Sequence, residues 1–129
     1  MIAVDTNVVV RLLTGDDLDQ TRRSMALFAR ESIFVHKTVV LETEWVLRYA
    51  YRFDAEAITA GIRKLLGLSN VTLEDLPSVV QALRWHEQGL DFADALHLAS
   101  SAGAGRFATF DRSLAKGARR LGAADVLAL

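Results

Sequence analysis

The stretch Asp91-Phe92-Ala93-Asp94-Ala95-Leu96-His97-Leu98-Ala99 carries two carboxylates three residues apart, at the head of an alanine-rich run with no helix breaker before Gly103. On a helix, positions i and i+3 share a face, so Asp91 and Asp94 point the same way. Two like charges side by side repel unless something positive lies near them. Three further acids stand where they can join such a pair. Asp5 follows the apolar run Ile2-Ala3-Val4, Asp111 follows Arg106-Phe107-Ala108-Thr109-Phe110, and Glu42 lies in the helical segment after Thr38.

Each acid also has a plainer reading. Asp5-Thr6-Asn7 is a common turn composition. Asp91 is a good N-cap with Asp94 as its N3 partner, a role that does not exclude a nearby metal and leaves Asp94 the freer carboxylate. Asp111 can cap a helix beginning at Arg112. Glu42 is the most informative position, because its helical neighbours Val39, Trp45, Val46 and Tyr49 make an apolar stripe. A carboxylate within such a stripe is expensive to bury unless paired or coordinated. Glu44 has Arg48 at i+4, so an ordinary surface ion pair accounts for it.

Other residue types offer less. His36, His86 and His97 form no ligand set, although His97 shares a face with Asp94. Trp45 and Trp85 read as core. Arg22-Arg23, Arg63-Lys64 and Arg119-Arg120 read as solvated faces, any of which can touch phosphate. There is no Gly-rich phosphate loop and no nucleophile elbow.

The elements that must position the acids follow from hydrophobic runs and caps. Ile2–Val4 is expected as a strand, with Val8–Leu13 helical and closed by Thr14-Gly15. A helix should run from Asp16-Asp17 to about Arg30, with Met25 and Phe28 among its apolar positions, then a strand at Ile33–Val35. Thr38 should cap a helix to about Tyr51, and Asp54 one that ends at Leu66-Gly67. Val71–Leu73 is a weak strand, and Pro77 sits in the first turn of a helix to His86. The Asp91 helix should end near Ala102-Gly103. A strand over Arg106–Phe110, a short helix from Arg112 to Lys116, and an edge strand at Val126-Leu127 complete the chain. Strands alternating with helices indicate an α/β fold with a mostly parallel central sheet, in which ligands bind beyond the carboxyl ends of the strands. Asp5 and Asp111 fall at such ends.

Length and composition bound the class. With 129 residues and 51% hydrophobic content, a single domain spanning 1–129 is expected, with a sizeable core. No apolar run is long enough to span a membrane and the first residues lack a signal-peptide pattern, so a cytoplasmic setting is expected. The absence of cysteine excludes disulfides, thiolate zinc sites and cysteine nucleophiles. Net charge is −1, which argues against a simple basic nucleic-acid binder. If five of the 16 acids form a metal site, 15 cations face 11 acids and the remaining surface is mildly basic. Charge therefore does not decide the partner.

Oxygen-only ligands select hard cations, Mg²⁺ or Mn²⁺ over Zn²⁺. Carboxylate-held ions of this kind suit in-line attack of water on a phosphodiester. Such attack needs no ribose 2′-hydroxyl, so the expected products carry 5′-phosphate and 3′-hydroxyl ends.

At this point four segments resemble those of a PIN-domain ribonuclease, specifically a VapC-type toxin of a type II toxin–antitoxin system. They are Ile2 through Leu13 followed by Asp16-Asp17, Leu41-Glu42-Thr43-Glu44-Trp45-Val46-Leu47, Asp91-Phe92-Ala93-Asp94-Ala95-Leu96, and Ala108-Thr109-Phe110-Asp111-Arg112. Each is weak alone; four in the right order over nearly the whole chain are fairly specific. The resemblance implies a PIN-like three-layer α/β/α sandwich. It implies Asp5, Glu42, Asp94 and Asp111 as the catalytic and metal-holding acids around Mg²⁺ or Mn²⁺, with Asp91 accessory and Thr6, Asn7 and Thr109 supporting. It further implies an RNA substrate, a homodimer, and inhibition by a cognate VapB-type antitoxin. Leu18 departs from the pattern, since many relatives carry proline there, but the acidic set is intact.

Three rival readings stand beside it. A non-enzymatic receiver-like signalling domain also has an acidic Mg²⁺ pocket, but it needs paired acids after the first strand and an acceptor Asp after a central one. Here Asp5 is followed by Thr-Asn, and Val71–Leu73 leads to Glu74-Asp75. A phosphohydrolase with Asp5 as nucleophile needs a general acid two residues on, where Asn7 is poorly suited. A PIN fold that binds RNA without cutting it has no need of intact acids.

Overall fold

The computed structural model describes residues 1–123 and 125–129, which form two compact units, Met1–Asp75 and Leu76–Leu129. The first unit runs β1 (Ile2–Ala3), α1 (Thr6–Thr14), α2 (Leu18–Arg30), β2 (Ile33–Val35), α3 (Lys37–Tyr49), α4 (Ala55–Leu66) and β3 (Val71–Leu73). Its sheet has the order β1-β2-β3 with both pairings parallel, Ile2 opposite Ile33 and Ile33 opposite Val71. The second unit runs α5 (Leu76–Glu87), α6 (Phe92–Ser100), a 3₁₀ turn (Ala102–Ala104), β4 (Arg106–Thr109), α7 (Arg112–Arg120) and β5 (Asp125–Ala128). There β4 and β5 pair in parallel, Arg106 opposite Asp125. The class is α/β with parallel strands, as expected. The described pairing is distributed over two short sheets, one in each unit.

Parallel strands need helical crossovers, and the apolar faces of those helices supply the core. In the first unit Val9, Val10, Ile33, Val35, Val40, Leu47, Ile58, Ile62 and Leu65 are fully buried, and in the second Val79, Leu83, Phe92, Leu98 and Ala118 are. Helix ends follow local chemistry. Gly15 takes φ +66 and donates its N–H to Arg11 O, closing α1. Asp17 and Asp54 cap α2 and α4, accepting from Gln20 N at 3.0 Å and Ala57 N at 2.8 Å.

Several boundaries shift by a residue or two, and three differ for reasons visible in the structure. Thr38 is not the cap of α3: the helix opens at Lys37, His36 makes no capping bond, and Glu74 Oε1 accepts from Lys37 N at 2.8 Å. A carboxylate from just beyond β3 thus satisfies the helix end, which no local sequence pattern announces. Helix α6 stops at Ser100, where Ser101 Oγ donates to His97 O at 2.7 Å, and the 3₁₀ turn takes up the expected last residues. Helix α7 runs to Arg120 rather than Lys116. Gly117 does not end it; a Cβ there would lie 2.6 Å from Leu90 Cδ2, so glycine serves close packing mid-helix.

Candidate functional site

In the second unit the acids gather around the amino end of α6 and the carboxyl end of β4. Asp91 caps α6, its Oδ2 accepting from Asp94 N at 3.2 Å. Asp111 caps α7, its Oδ1 accepting from Leu114 N at 3.0 Å, while Asp111 N donates to Thr109 Oγ1 at 2.9 Å. Thr109 therefore fixes the backbone that carries Asp111. The capping roles open to Asp91 and Asp111 in the sequence are both realised. Asp94, the residue left freer by this arrangement, is half-buried and its carboxyl makes no hydrogen bond among the described residues. Burial pushes the Asp94 pKa up, the charges of Asp91 and Asp111 push it further, and His97 acts against them. Asp91 and Asp111 both lie within electrostatic reach of Asp94.

In the first unit Asp5 follows β1 and caps α1, with Oδ1 accepting from Thr6 N at 2.7 Å. Thr6 is buried, whereas Asp5 and Asn7 are exposed. Oδ2 of Asp5 has no partner among the described residues, so one carboxylate edge stays available.

The two glutamates of α3 exchange environments relative to expectation. Glu42 is exposed and its stripe faces outward, with Trp45 55% and Tyr49 56% exposed. Glu44 is only 1% exposed. Its Oε1 accepts from Arg48 Nη2 at 3.1 Å and its Oε2 lies 3.0 Å from Arg48 Nε, so this is a buried pair rather than a surface one. The reason is rotation: Val40, Thr43, Glu44 and Leu47 form the buried face, turning Glu42, Trp45 and Tyr49 to the outside. Burial cost therefore does not single out Glu42. Glu42 is an exposed carboxylate with no partner among the described residues. Trp45 is corrected from core to surface; its ring lies 5.2 Å from that of Tyr49, over which the Arg48 guanidinium sits at 4.7 Å.

A family model described as PIN domain matches residues 2–120. The chain belongs to the PIN-domain family. Among solved structures it is similar to Mycobacterium tuberculosis VapC20, described as a sarcin–ricin loop cleaving toxin, at 21% identity over 90% of this chain and 94% of that one, with a TM-score of 0.46. No curated protein matches it.

Whether this PIN domain suits a divalent cation can be tested on its donors. They are carboxylate oxygens without thiolate, the set that hard cations select. Asp94 is destabilised as an anion by its acidic neighbours, the condition that a bound cation relieves. In donor chemistry the residues fit. Among the described residues, no group of three or more Asp, Glu or His side chains is drawn together in a form that could hold an ion.

The sequence did not single out one polar cluster of this PIN domain. Arg11 Nε donates to Gln20 Oε1 at 2.8 Å, and Nη1 donates to Asp16 Oδ1 at 3.0 Å and to Tyr51 Oη at 2.7 Å. Tyr51 Oη in turn donates to Asp16 Oδ2 at 2.6 Å, which holds the Asp16 pKa below its ordinary value. The only available signal was Arg11 followed by acids at 16 and 17; Tyr51 lies 40 residues on.

Proposed function

We propose that this PIN domain is a Mg²⁺- or Mn²⁺-dependent endoribonuclease of the VapC toxin type, with Asp5, Glu42, Asp94 and Asp111 as its metal-holding and catalytic acids. The observation that carries the reading is Asp94, a half-buried carboxylate without a hydrogen bond among the described residues, beside Asp91 and Asp111, with its pKa raised by burial and by those two charges. A structural acid of that kind is normally given a cation or donors; one left under repulsion marks a place for a ligand. The two units are read as parts of one PIN domain, because the family match runs through both.

The bound cation would lower the pKa of the attacking water and offset charge on the phosphate. The chain's own residues hold the carboxylates in place. Capping bonds from Thr6 N, Asp94 N and Leu114 N engage one oxygen each of Asp5, Asp91 and Asp111 and fix their orientation. The helix amino ends behind these caps offset part of the mutual repulsion of the acids. Thr109 orders the turn that carries Asp111. Water attack leaves 5′-phosphate and 3′-hydroxyl ends. A VapB-type antitoxin and a homodimer complete the proposal through the family resemblance. No described helix is long and apolar enough to cross a membrane, and a cytoplasmic setting is proposed with the same toxin reading.

The test is cleavage of labelled total RNA by antitoxin-free protein in Mg²⁺, Mn²⁺ or EDTA, beside Asp94→Asn. Metal-dependent cutting that the variant loses, with 5′-phosphate ends, is expected. Full activity in the variant would remove Asp94 from the site. Labelling by a small acyl phosphate without any cutting would favour the signalling alternative.

A further inference from the structure

A groove of about 500 Å³ runs between α1 and α2 of the first unit. Its polar lining is Asn7, Arg11, Gln20, Arg23, Ser24 and Arg30, over an apolar floor that includes Val8 and Leu27. Three guanidinium groups line it, and no acid is among the described residues that do. The three differ in how firmly they are held. Arg11, with its side chain 24% exposed, is fixed through Nε and Nη1 by Gln20, Asp16 and Tyr51, and its Nη2 has no partner among the described residues. That is a pre-oriented cation with one edge unspent.

Arg23 and Arg30 stand seven residues apart, so two turns of α2 separate them by about 10 Å. Arg23 pairs with Asp19 at 3.3 Å, but both side chains are more than three quarters exposed. Arg30 lies 3.9 Å from Glu31. Exposed pairs of this kind contribute little and exchange readily for a better anion.

We propose that this groove holds the phosphate backbone of single-stranded RNA next to the scissile bond, with Arg11, Arg23 and Arg30 as its phosphate contacts. This rests on the ribonuclease reading above. Continuity favours RNA over another polyanion: Asn7 lines the groove in the first turn of α1, the helix that Asp5 caps. A strand presented to Asp5 and continuing along that helix passes from Asn7 to Arg11 and then onto the α2 arginines. A positively charged groove is the means by which proteins track a single-stranded backbone without reading its sequence, and with no aromatic side chain among the described residues of the lining the contacts here are to phosphate.

The test is fluorescence anisotropy of a short labelled single-stranded RNA of mixed sequence, in EDTA so that nothing is cut, across a salt series. The proteins are wild type, Arg23→Ala/Arg30→Ala and Arg23→Lys/Arg30→Lys. Removing both phosphate-binding arginines should weaken binding at least tenfold at low salt and flatten the log–log salt slope by about 1.4, at about 0.7 for each phosphate. The lysine variant should keep most of the slope. Unchanged affinity and slope in the alanine variant overturn the groove, as does failure of wild-type protein to bind RNA. Oligoglutamate bound as tightly as RNA, with the same arginine dependence, assigns the groove to an acidic peptide and also overturns the proposal. Cleavage in Mg²⁺ separates the two readings. Wild-type cutting with an alanine variant equally active refutes the groove alone, whereas absence of wild-type cutting refutes the ribonuclease.

Discussion

Replacing Glu44 by Gln tests whether α3 is rotated as described. The swap keeps the side chain's volume and one carbonyl acceptor, so packing against Val40 and Leu47 is preserved and only charge is removed. At present Glu44, 1% exposed, faces Arg48 at distances of 3.0 and 3.1 Å, while the Arg48 side chain is 34% exposed. A hydrogen bond to a charged group contributes about 1.5–3 kcal/mol, against about 0.5–1.5 for a neutral one. Weakening the one charged hydrogen bond, Arg48 Nη2 to Glu44 Oε1, and removing the ion pair at Oε2, partly offset because Arg48 regains water, gives a cost of about 2 kcal/mol. With an unfolding entropy of about 2.1 cal/mol/K per residue, a chain of this size should lose about 7 °C in Tm. A surface i,i+4 pair would cost about 0.3–0.5 kcal/mol, or about 1–2 °C. Thermal unfolding by circular dichroism separates the two. A shift below about 2 °C in Glu44→Gln would refute the buried pair. The matched control is Glu42→Gln, expected to leave stability within about 0.5 kcal/mol of wild type while abolishing cleavage.

Three further outcomes are expected. Because the Asp94 pKa is raised in the folded state, that state binds more protons than the unfolded one just above pH 3.8, so this group's destabilisation is relieved as pH falls through its folded pKa. Urea midpoints measured from neutral pH downward should show that upward contribution in wild type and lack it in Asp94→Asn, which should also be the more stable at neutral pH. Gly117→Ala should destabilise by up to about 2 kcal/mol net, because its Cβ would sit 2.6 Å from Leu90 Cδ2 at an overpacking cost of about 1–3 kcal/mol, against about 1 kcal/mol regained in helix propensity; an unchanged or raised urea midpoint would show that Leu90 yields freely. Mg²⁺ or Mn²⁺ should raise Tm with concentration through binding to the folded state, and Asp94→Asn should abolish that rise whether or not an RNA target is known.

Sequence alone determined the order and type of nearly every element, because the signals were local. Strand Ile33–Val35 and helix Ala55–Leu66 lie where their apolar runs and the Asp54 cap put them. The caps at Asp91 and Asp111 were legible for the same reason: an N-cap needs only its own side chain and an N–H three residues on. The family was legible too, since four short motifs in order need no coordinates. Other features depended on partners distant in the chain. Glu74 caps α3 from 37 residues away, Leu90 explains a glycine within α7, and Tyr51 fixes Arg11 across 40 residues. The rotation of α3 was the costliest to infer. Apolar Trp45 and Tyr49 suggested an inward stripe, but two turns of helix offer either face to a core. Packing of Val40, Thr43 and Leu47 chose the other one and took Glu44 inside with them. Periodicity states that a helix has faces; only the tertiary structure decides which one is buried.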